Sequence, residues 1–302
     1  CCLSAVNVGA AQSCLDKALA YTKQRQQFGQ PISQFQLVRA KLADMEMEID
    51  AARLLRAELA KPGYVCKPIM LGSNTDPYQP VEREQRVTRQ LLEVMAECRH
   101  PVAIITKGAL IERDLDLLAD LAGDRLVRVT ISLPTLDVDL KRILEPRAAS
   151  VAARLRLMRQ LVAAGVPVGV LVAPIIPAIT DHEIEHVLEA CAAAGAVRAN
   201  YVMLRLPYEV KHLFREWLGA HFPQRAAHVM SLVQDLRAGR DNDPCFGQRM
   251  SGRGALAALT RRRFDVACRR LGLDQDRGLG LETLKFRRPV AADRSPQMSL
   301  GL

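Results

Sequence analysis

Val65-Cys66-Lys67-Pro68-Ile69-Met70-Leu71-Gly72-Ser73-Asn74-Thr75-Asp76-Pro77-Tyr78-Gln79-Pro80 decides how this chain folds. Its first half, Val65–Leu71, is a short run rich in apolar residues. It stops in Gly, small polar side chains and Pro, which are turn residues. Helical spacing then takes over across Val81–Cys98. A strand that ends in a turn and hands over to a helix opens a βαβ unit. The pattern recurs. Strands are expected at Val65–Leu71, Val102–Thr106, Val127–Ser132, Val168–Ala173 and Ala199–Leu204. Between them the spacing predicts helices near Val81–Cys98, Glu112–Ala122, Ser150–Ala164 and His182–Ala194. Near-continuous apolar strands are buried on both faces, as in parallel sheets. The expectation is a parallel α/β sheet forming part of a (β/α) barrel. Ligands then belong at the C-terminal ends of the strands.

Those ends share a chemistry. They read Gly72 to Pro80, then Thr106-Lys107-Gly108, Ser132-Leu133-Pro134-Thr135-Leu136-Asp137, and Ala173-Pro174-Ile175-Ile176-Pro177. Small residues, hydroxyls and one Lys can hold a polar cofactor that carries a carboxylate and an amine. Ordinary βα turns use the same residue types. Their joint occurrence on one face is what favours a site.

Residues Gly72 to Pro80, Ile105-Thr106-Lys107, Glu145-Pro146-Arg147, Ala164-Gly165-Val166-Pro167-Val168, and Ala173-Pro174-Ile175-Ile176-Pro177 with Asp181 carry a resemblance. From about Leu54 onward the chain resembles the radical S-adenosylmethionine (SAM) proteins related to spore photoproduct lyase. The resemblance implies a partial TIM-like barrel lacking its first strand, a [4Fe–4S] cluster and SAM. By position it implies that Gly72, Ser73, Asn74, Thr75 and Asp76 line the methionine amino group. Lys107 would meet the carboxylate and Ser132 the ribose. Ala173 and Pro174 would border the adenine through backbone groups. One departure is decisive. The family holds its cluster with a C-x3-C-x2-C loop, whose thiolates leave one iron open for SAM. The cysteines here stand at 1, 2, 14, 66, 98, 191, 245 and 268, and no three share such a loop. The expectation is SAM ancestry without cluster chemistry, and no metal site.

The first residues read differently. Leu3, Val6, Ala10, Cys14, Ala18 and Tyr21 share one helix face. Gly29 and Pro31 break that helix, and Ser33 with Gln36 forms a capping box for a second. Leu15 to Tyr21, Arg25 to Ile32, Phe35-Gln36, Leu42 to Met45 and Ala51 to Leu55 resemble the C-terminal helical domain of acyl-CoA dehydrogenases. In that family Arg25 and Phe28 would help hold FAD across a subunit interface, and a guanidinium suits a pyrophosphate. The flavin pocket, acyl-CoA cleft and catalytic glutamate of that family have no counterpart in the sequence. A helix over Gln34–Ala60 joins the two resemblances, and the chain looks cut within its first helix. The open outer edge left to Val65–Leu71 would template self-association.

The net charge is +9, and Cys245–Leu302 holds 12 Lys and Arg against 5 Asp and Glu. Along Ala255–Leu271, Phe264, Cys268 and Leu271 share one face, with Arg262, Arg269 and Arg270 opposite. Nucleic acid is one candidate partner for that face. A solvated surface is the other, favoured because no aromatics interleave with the charges. His182-Glu183-Ile184-Glu185-His186 fits the H-E-x-x-H pattern letter for letter. Ile184 and Leu188 must face the sheet, so both histidines face water, Asp181 reads as the cap, and no zinc is expected. Cys66 and Cys191 read as core, and Cys245 as a loop thiol. Scattered cysteines suggest a reducing cytoplasm, and no apolar stretch is long enough to cross a membrane.

The expected organisation is a helical hairpin over 1–55, a partial barrel over 56–225 and a helical, basic C-terminal extension over 226–302 with a frayed end at Ala291–Leu302. The function expected is that of a radical SAM lineage inactive as this chain. The alternatives are an FAD-type acyl-CoA dehydrogenase fragment and a non-catalytic nucleic-acid-binding module.

Overall fold

A computed structural model describes residues 26–27, 30–31, 51–245, 247–274 and 280–289. Most of the hairpin expected over 1–55, including Arg25, Phe28 and the Ser33 capping box, lies outside the described residues, as does the tail 291–302. Near the break expected at Gly29 and Pro31, the backbone of Gln26–Gln27 pairs antiparallel with Gln30–Pro31. Residues 51–60 are helical, as the expected join requires, and Leu55 and Leu59 enter the main core.

Five parallel strands form one sheet: β1 (Ile69–Leu71), β2 (Val102–Thr106), β3 (Val127–Ser132), β4 (Val168–Ile175) and β5 (Arg198–Met203). Their order in space is their order in sequence. Right-handed crossovers place the main connecting helices on one face, leaving Thr130, Leu171 and Asn200 of the other face at least partly exposed. Toward the helices point Val129, Ile131, Val170 and Val172, each nearly free of solvent. Full burial of each such side chain stabilises by roughly 1.5–3 kcal/mol.

β2 and β3 occupy the residues expected. β1 is shorter than Val65–Leu71, for two reasons. Pro68 has no N–H to give the ladder, and Val65 is 71% exposed. Pairing starts at Ile69, opposite Val102. β4 runs on to Ile175, which pairs with Met203 beyond an irregularity in register.

The helix expected over Val81–Cys98 is two helices, α1 (Glu82–Gln85) and α2 (Val87–Glu97). Arg86 breaks them apart with φ 52°, and the Glu82 carboxylate accepts Thr88 N–H at 3.1 and 3.2 Å. A 3₁₀ turn, Ala109–Asp114, leads into α3 (Leu115–Gly123). Sequence spacing left α4 (Val138–Leu144) unmarked. Asp137 caps it, accepting from Asp139 N at 2.8 Å and Leu140 N at 3.0 Å. Ser150 caps α5 (Val151–Ala163) through Ala153 N at 3.2 Å. Asp181 does not cap as expected: it sits inside the 3₁₀ turn Asp181–Glu183 that precedes α6 (Ile184–Ala193). α7 (Val210–His221), α8 (Ala226–Asp235) and α9 (Gly254–Leu271) complete the described helices.

α4, α7 and α8 share a second core of Leu140, Ile176, Leu206, Phe214, Leu218 and Val233 beside the strand tips. α9 packs Phe264 and Cys268 into the main core, with its arginines outward, as its periodicity predicts. The outer edge of β5 is partly covered, because Ala199 N–H donates to Leu273 O at 3.1 Å and Arg198 bridges Asp274. The outer edge of β1 has no strand partner among the described residues. Opposite the strand tips, residues 280–289 run across the base as a strap. Arg287 N–H donates to Cys98 O at 2.7 Å, Glu282 N–H to Arg125 O at 3.0 Å, and Phe286 packs on Tyr64 and His100.

Candidate functional site

The bend after β1 is made by Gly72, whose φ of +93° belongs to the left-handed region. A Cβ there would overlap the carbonyl of Ile105 on β2, so only glycine lets the two strand tips come this close. Ser73, Asn74 and Thr75 follow on the surface. Asp76 then turns back as a staple. One carboxylate oxygen accepts Thr106 Oγ1 at 2.6 Å and Tyr78 N at 2.9 Å, and the other accepts Lys107 N at 2.7 Å. Asp76 therefore joins the tips of β1 and β2, and its acceptors are committed to this chain's own groups. Tyr78 is buried behind the staple and donates to Asp114 at 3.0 Å. Burial, and secondarily the Asp114 carboxylate, pushes its hydroxyl well above the usual tyrosine range.

From Lys107 a second chain of contacts crosses to β3. The Lys107 ammonium pairs with Glu145 Oε1. The other Glu145 oxygen accepts Arg154 Nη2 at 2.7 Å. Arg154 is 0% exposed. It spends its remaining donors on carbonyls, Nη1 on Ser132 O at 2.7 Å and Nε on Ala149 O at 3.0 Å. Ser132 Oγ donates to Ala173 O at 3.3 Å, across to β4. The Ala173–Pro174 peptide is cis. The strand-tip residues singled out from the sequence thus fall into one connected structure. Gly72 abuts Ile105, Asp76 fastens Lys107, and Lys107 leads through Glu145 and Arg154 to Ser132 and Ala173. Ser73, Asn74 and the Lys107 ammonium face the more open side, while Ser132 is buried. Sequence reasoning gave Glu145 no role and passed over Arg154. The available signal was an arginine on the face of α5 that otherwise carries Val151, Leu157, Met158 and Leu161.

A polar amino acid moiety fits these tips, because exposed hydroxyl and amide groups stand beside a partly exposed ammonium. Among the described residues an iron–sulfur cluster finds no fit, because its ligands must be thiolates gathered together and no three of the described cysteines are. Cys1, Cys2 and Cys14 lie outside the described residues. Burial pushes Cys66 and Cys98 up to about 11, and Cys191 and Cys268 up to about 12, which keeps these thiols protonated. Cys191 is buried as expected, whereas Cys66 is only half-buried. Cys245 is exposed in its loop. Among the described residues, no group of three His, Cys, Asp or Glu side chains could hold a metal ion.

The H-E-x-x-H segment is accounted for by packing. Ile184 and Leu188 are buried and His182 and His186 exposed. Glu183 accepts Thr135 Oγ1 at 2.6 Å and Leu136 N at 2.8 Å, which pins the loop after β3. Several cations of the basic extension are also paired: Arg263 with Glu185 at 2.7 Å, Lys285 with Asp124 at 2.6 Å and Arg253 with Asp243 at 2.9 Å. Among the described residues no helix is long and apolar enough to cross a membrane.

Comparison with known proteins bears on family and fold. Residues 39–191, half of the chain, match the family model described as the radical SAM superfamily. Residues 1–63 match the model described as acyl-CoA dehydrogenase, C-terminal domain. An uncharacterized protein of Mycobacterium tuberculosis is 34% identical over 190 residues, covering 62% of this chain and 56% of that protein. The chain therefore spans about half the length of such curated relatives. A probable acyl-CoA dehydrogenase of Bacillus subtilis is 63% identical over 51 residues, 17% of this chain and 13% of that protein. Among solved structures, a point variant of spore photoproduct lyase superposes with a TM-score of 0.53 at 14% identity, over 75% of this chain and 64% of that one. At that identity the likeness is one of fold.

Proposed function

The chain belongs to the radical SAM superfamily, and from that premise we propose that its strand tips bind SAM without the cluster needed to cleave it. The observation that carries this reading is the connected network from Gly72 to Ala173, together with a set of described cysteines of which no three gather. Bound there, SAM would supply an adenosyl group. Gly72, Ser73, Asn74 and Thr75 would hold the methionine amino group. Asp76 orients the loop by its bonds to Thr106 and Lys107. Lys107 would meet the carboxylate, with Glu145 fixing where its ammonium lies. Ser132 would set the ribose side, and Ala173 and Pro174 would offer backbone groups to the adenine.

The test is a SAM titration by calorimetry on the full chain, followed by anaerobic treatment with iron, sulfide and a reductant. The expected result is saturable SAM binding, weakened about ten-fold in Lys107→Ala, as loss of one charge-assisted contact implies. No cluster absorption and no 5′-deoxyadenosine should appear. Release of 5′-deoxyadenosine would sink the proposal, and so would SAM affinity indifferent to Lys107.

A further inference from the structure

A cleft of about 550 Å³ opens on the rim of the strand-tip face, beside the network just described. The loop after β1, the loop after β2 and the first turn of α5 enclose it, with Tyr78, Arg83, Leu110, Glu112, Arg147 and Ala153 among its walls. That volume lies within the range of small-molecule sites. Its cations are less committed than their neighbours. Arg89 is paired with Asp114 and Asp116, Arg113 with Asp114, and Arg154 with Glu145. Arg83 and Arg147 are exposed, and among the described residues neither has an ion-pair partner. Two uncommitted guanidiniums thus line one concave space with the N-terminal end of a 13-residue helix, which adds partial positive charge. Arg113, also in the wall, is held in place by Asp114 and by the Glu82 carbonyl.

The same cleft holds an unanswered acceptor. Glu112 is ion-paired with Arg156 at 3.7 Å and its side chain is 33% exposed, but its Oε1 atom is shielded from solvent and accepts no hydrogen bond. A shielded oxygen without a donor leaves hydrogen-bonding capacity unused. A ligand hydroxyl or amine would satisfy it. Tyr78 and Leu110 bring apolar surface to the same space.

We propose that this rim cleft binds a phosphate monoester whose body carries a hydroxyl or amine, with Arg83 and Arg147 on the phosphate and Glu112 on that donor. Guanidiniums suit a phosphate dianion through paired N–H groups, and the helix end reinforces them. The ligand is distinct from SAM, which has no phosphate, and Lys107 is not part of the wall.

Calorimetric titration of the full chain with AMP, adenosine and inorganic phosphate tests this. AMP should bind at least ten-fold more tightly than either fragment. Arg83→Ala and Arg147→Ala should each weaken AMP five-fold or more, and both residues are exposed, so folding should survive. Glu112→Gln should narrow the gap between AMP and inorganic phosphate. Saturating SAM should leave AMP affinity unchanged, so failure of SAM binding and failure of this site are separable. The proposal is overturned if AMP does not bind, if SAM displaces it, if phosphate alone binds as tightly, or if the arginine variants bind AMP like the parent chain.

Discussion

Glu145 sits between two cations of unlike surroundings. Arg154 is fully enclosed, whereas the Lys107 side chain is 37% exposed. That asymmetry fixes what each substitution costs. Removing Glu145 leaves a buried guanidinium with carbonyls but no counter-charge, and uncompensated buried charges cost about 3–5 kcal/mol. Glu145→Ala should therefore lose about 3 kcal/mol in urea unfolding. Lys107→Met should lose under about 1 kcal/mol, because a partly solvated pair contributes little. Equal losses would mean that Glu145 serves Lys107 rather than Arg154. This partnership was not legible in the sequence. Lys107 and Glu145 lie 38 positions apart, and Glu145 and Arg154 nine. Lys107 was readable, because a lone cation at a strand tip is conspicuous. Asp76 was readable as a strand-tip residue, but its commitment to Thr106 and Lys107 depends on two strand tips meeting.

Elements were legible in proportion to their burial. β2 is apolar on both faces and β3 alternates Val127, Val129 and Ile131 with Arg128, Thr130 and Ser132, so the ends of both could be read to the residue. Arg86 bears no mark of its left-handed φ, so the division between α1 and α2 was hidden. α7 was passed over although its period is regular: Val210, Leu213, Phe214, Trp217 and Leu218 share one face, of which Phe214 and Leu218 are buried while Val210 and Leu213 at its start stay exposed. Of the strands, β1 is the consequential one. Its outer edge offers unpaired backbone groups, with Met70 43% exposed. Such an edge templates pairing. Light scattering should therefore show concentration-dependent association of the full chain, reduced by Met70→Lys. A monodisperse monomer at high concentration would remove this expectation.

For the molecule as a whole, one source of acid sensitivity lies at the base. His100 is 0% exposed, hydrogen-bonded to Tyr64 at 2.7 Å and packed on Phe286. Burial pushes its pKa down to about 4, against the ordinary 6.5. In the folded state it stays neutral while the unfolded chain takes up a proton. Its contribution is therefore complete above about pH 6.5 and is lost as pH falls toward 4, up to roughly 3 kcal/mol. Urea midpoints measured from pH 7 to 4 should fall more steeply for the parent chain than for His100→Gln. Parallel slopes would show that His100 is not the titrating group.

The strap over that base also orders events in time. Arg288 reaches back 226 positions to the carbonyl of Pro62, and Arg125 meets Glu282 across 157. During synthesis, every strand has left the ribosome long before the segment that seals its floor. A nascent chain must wait with Tyr64 and His100 uncovered, and a stalled or nicked product lacking the strap would keep that aromatic floor open to solvent and to chaperones.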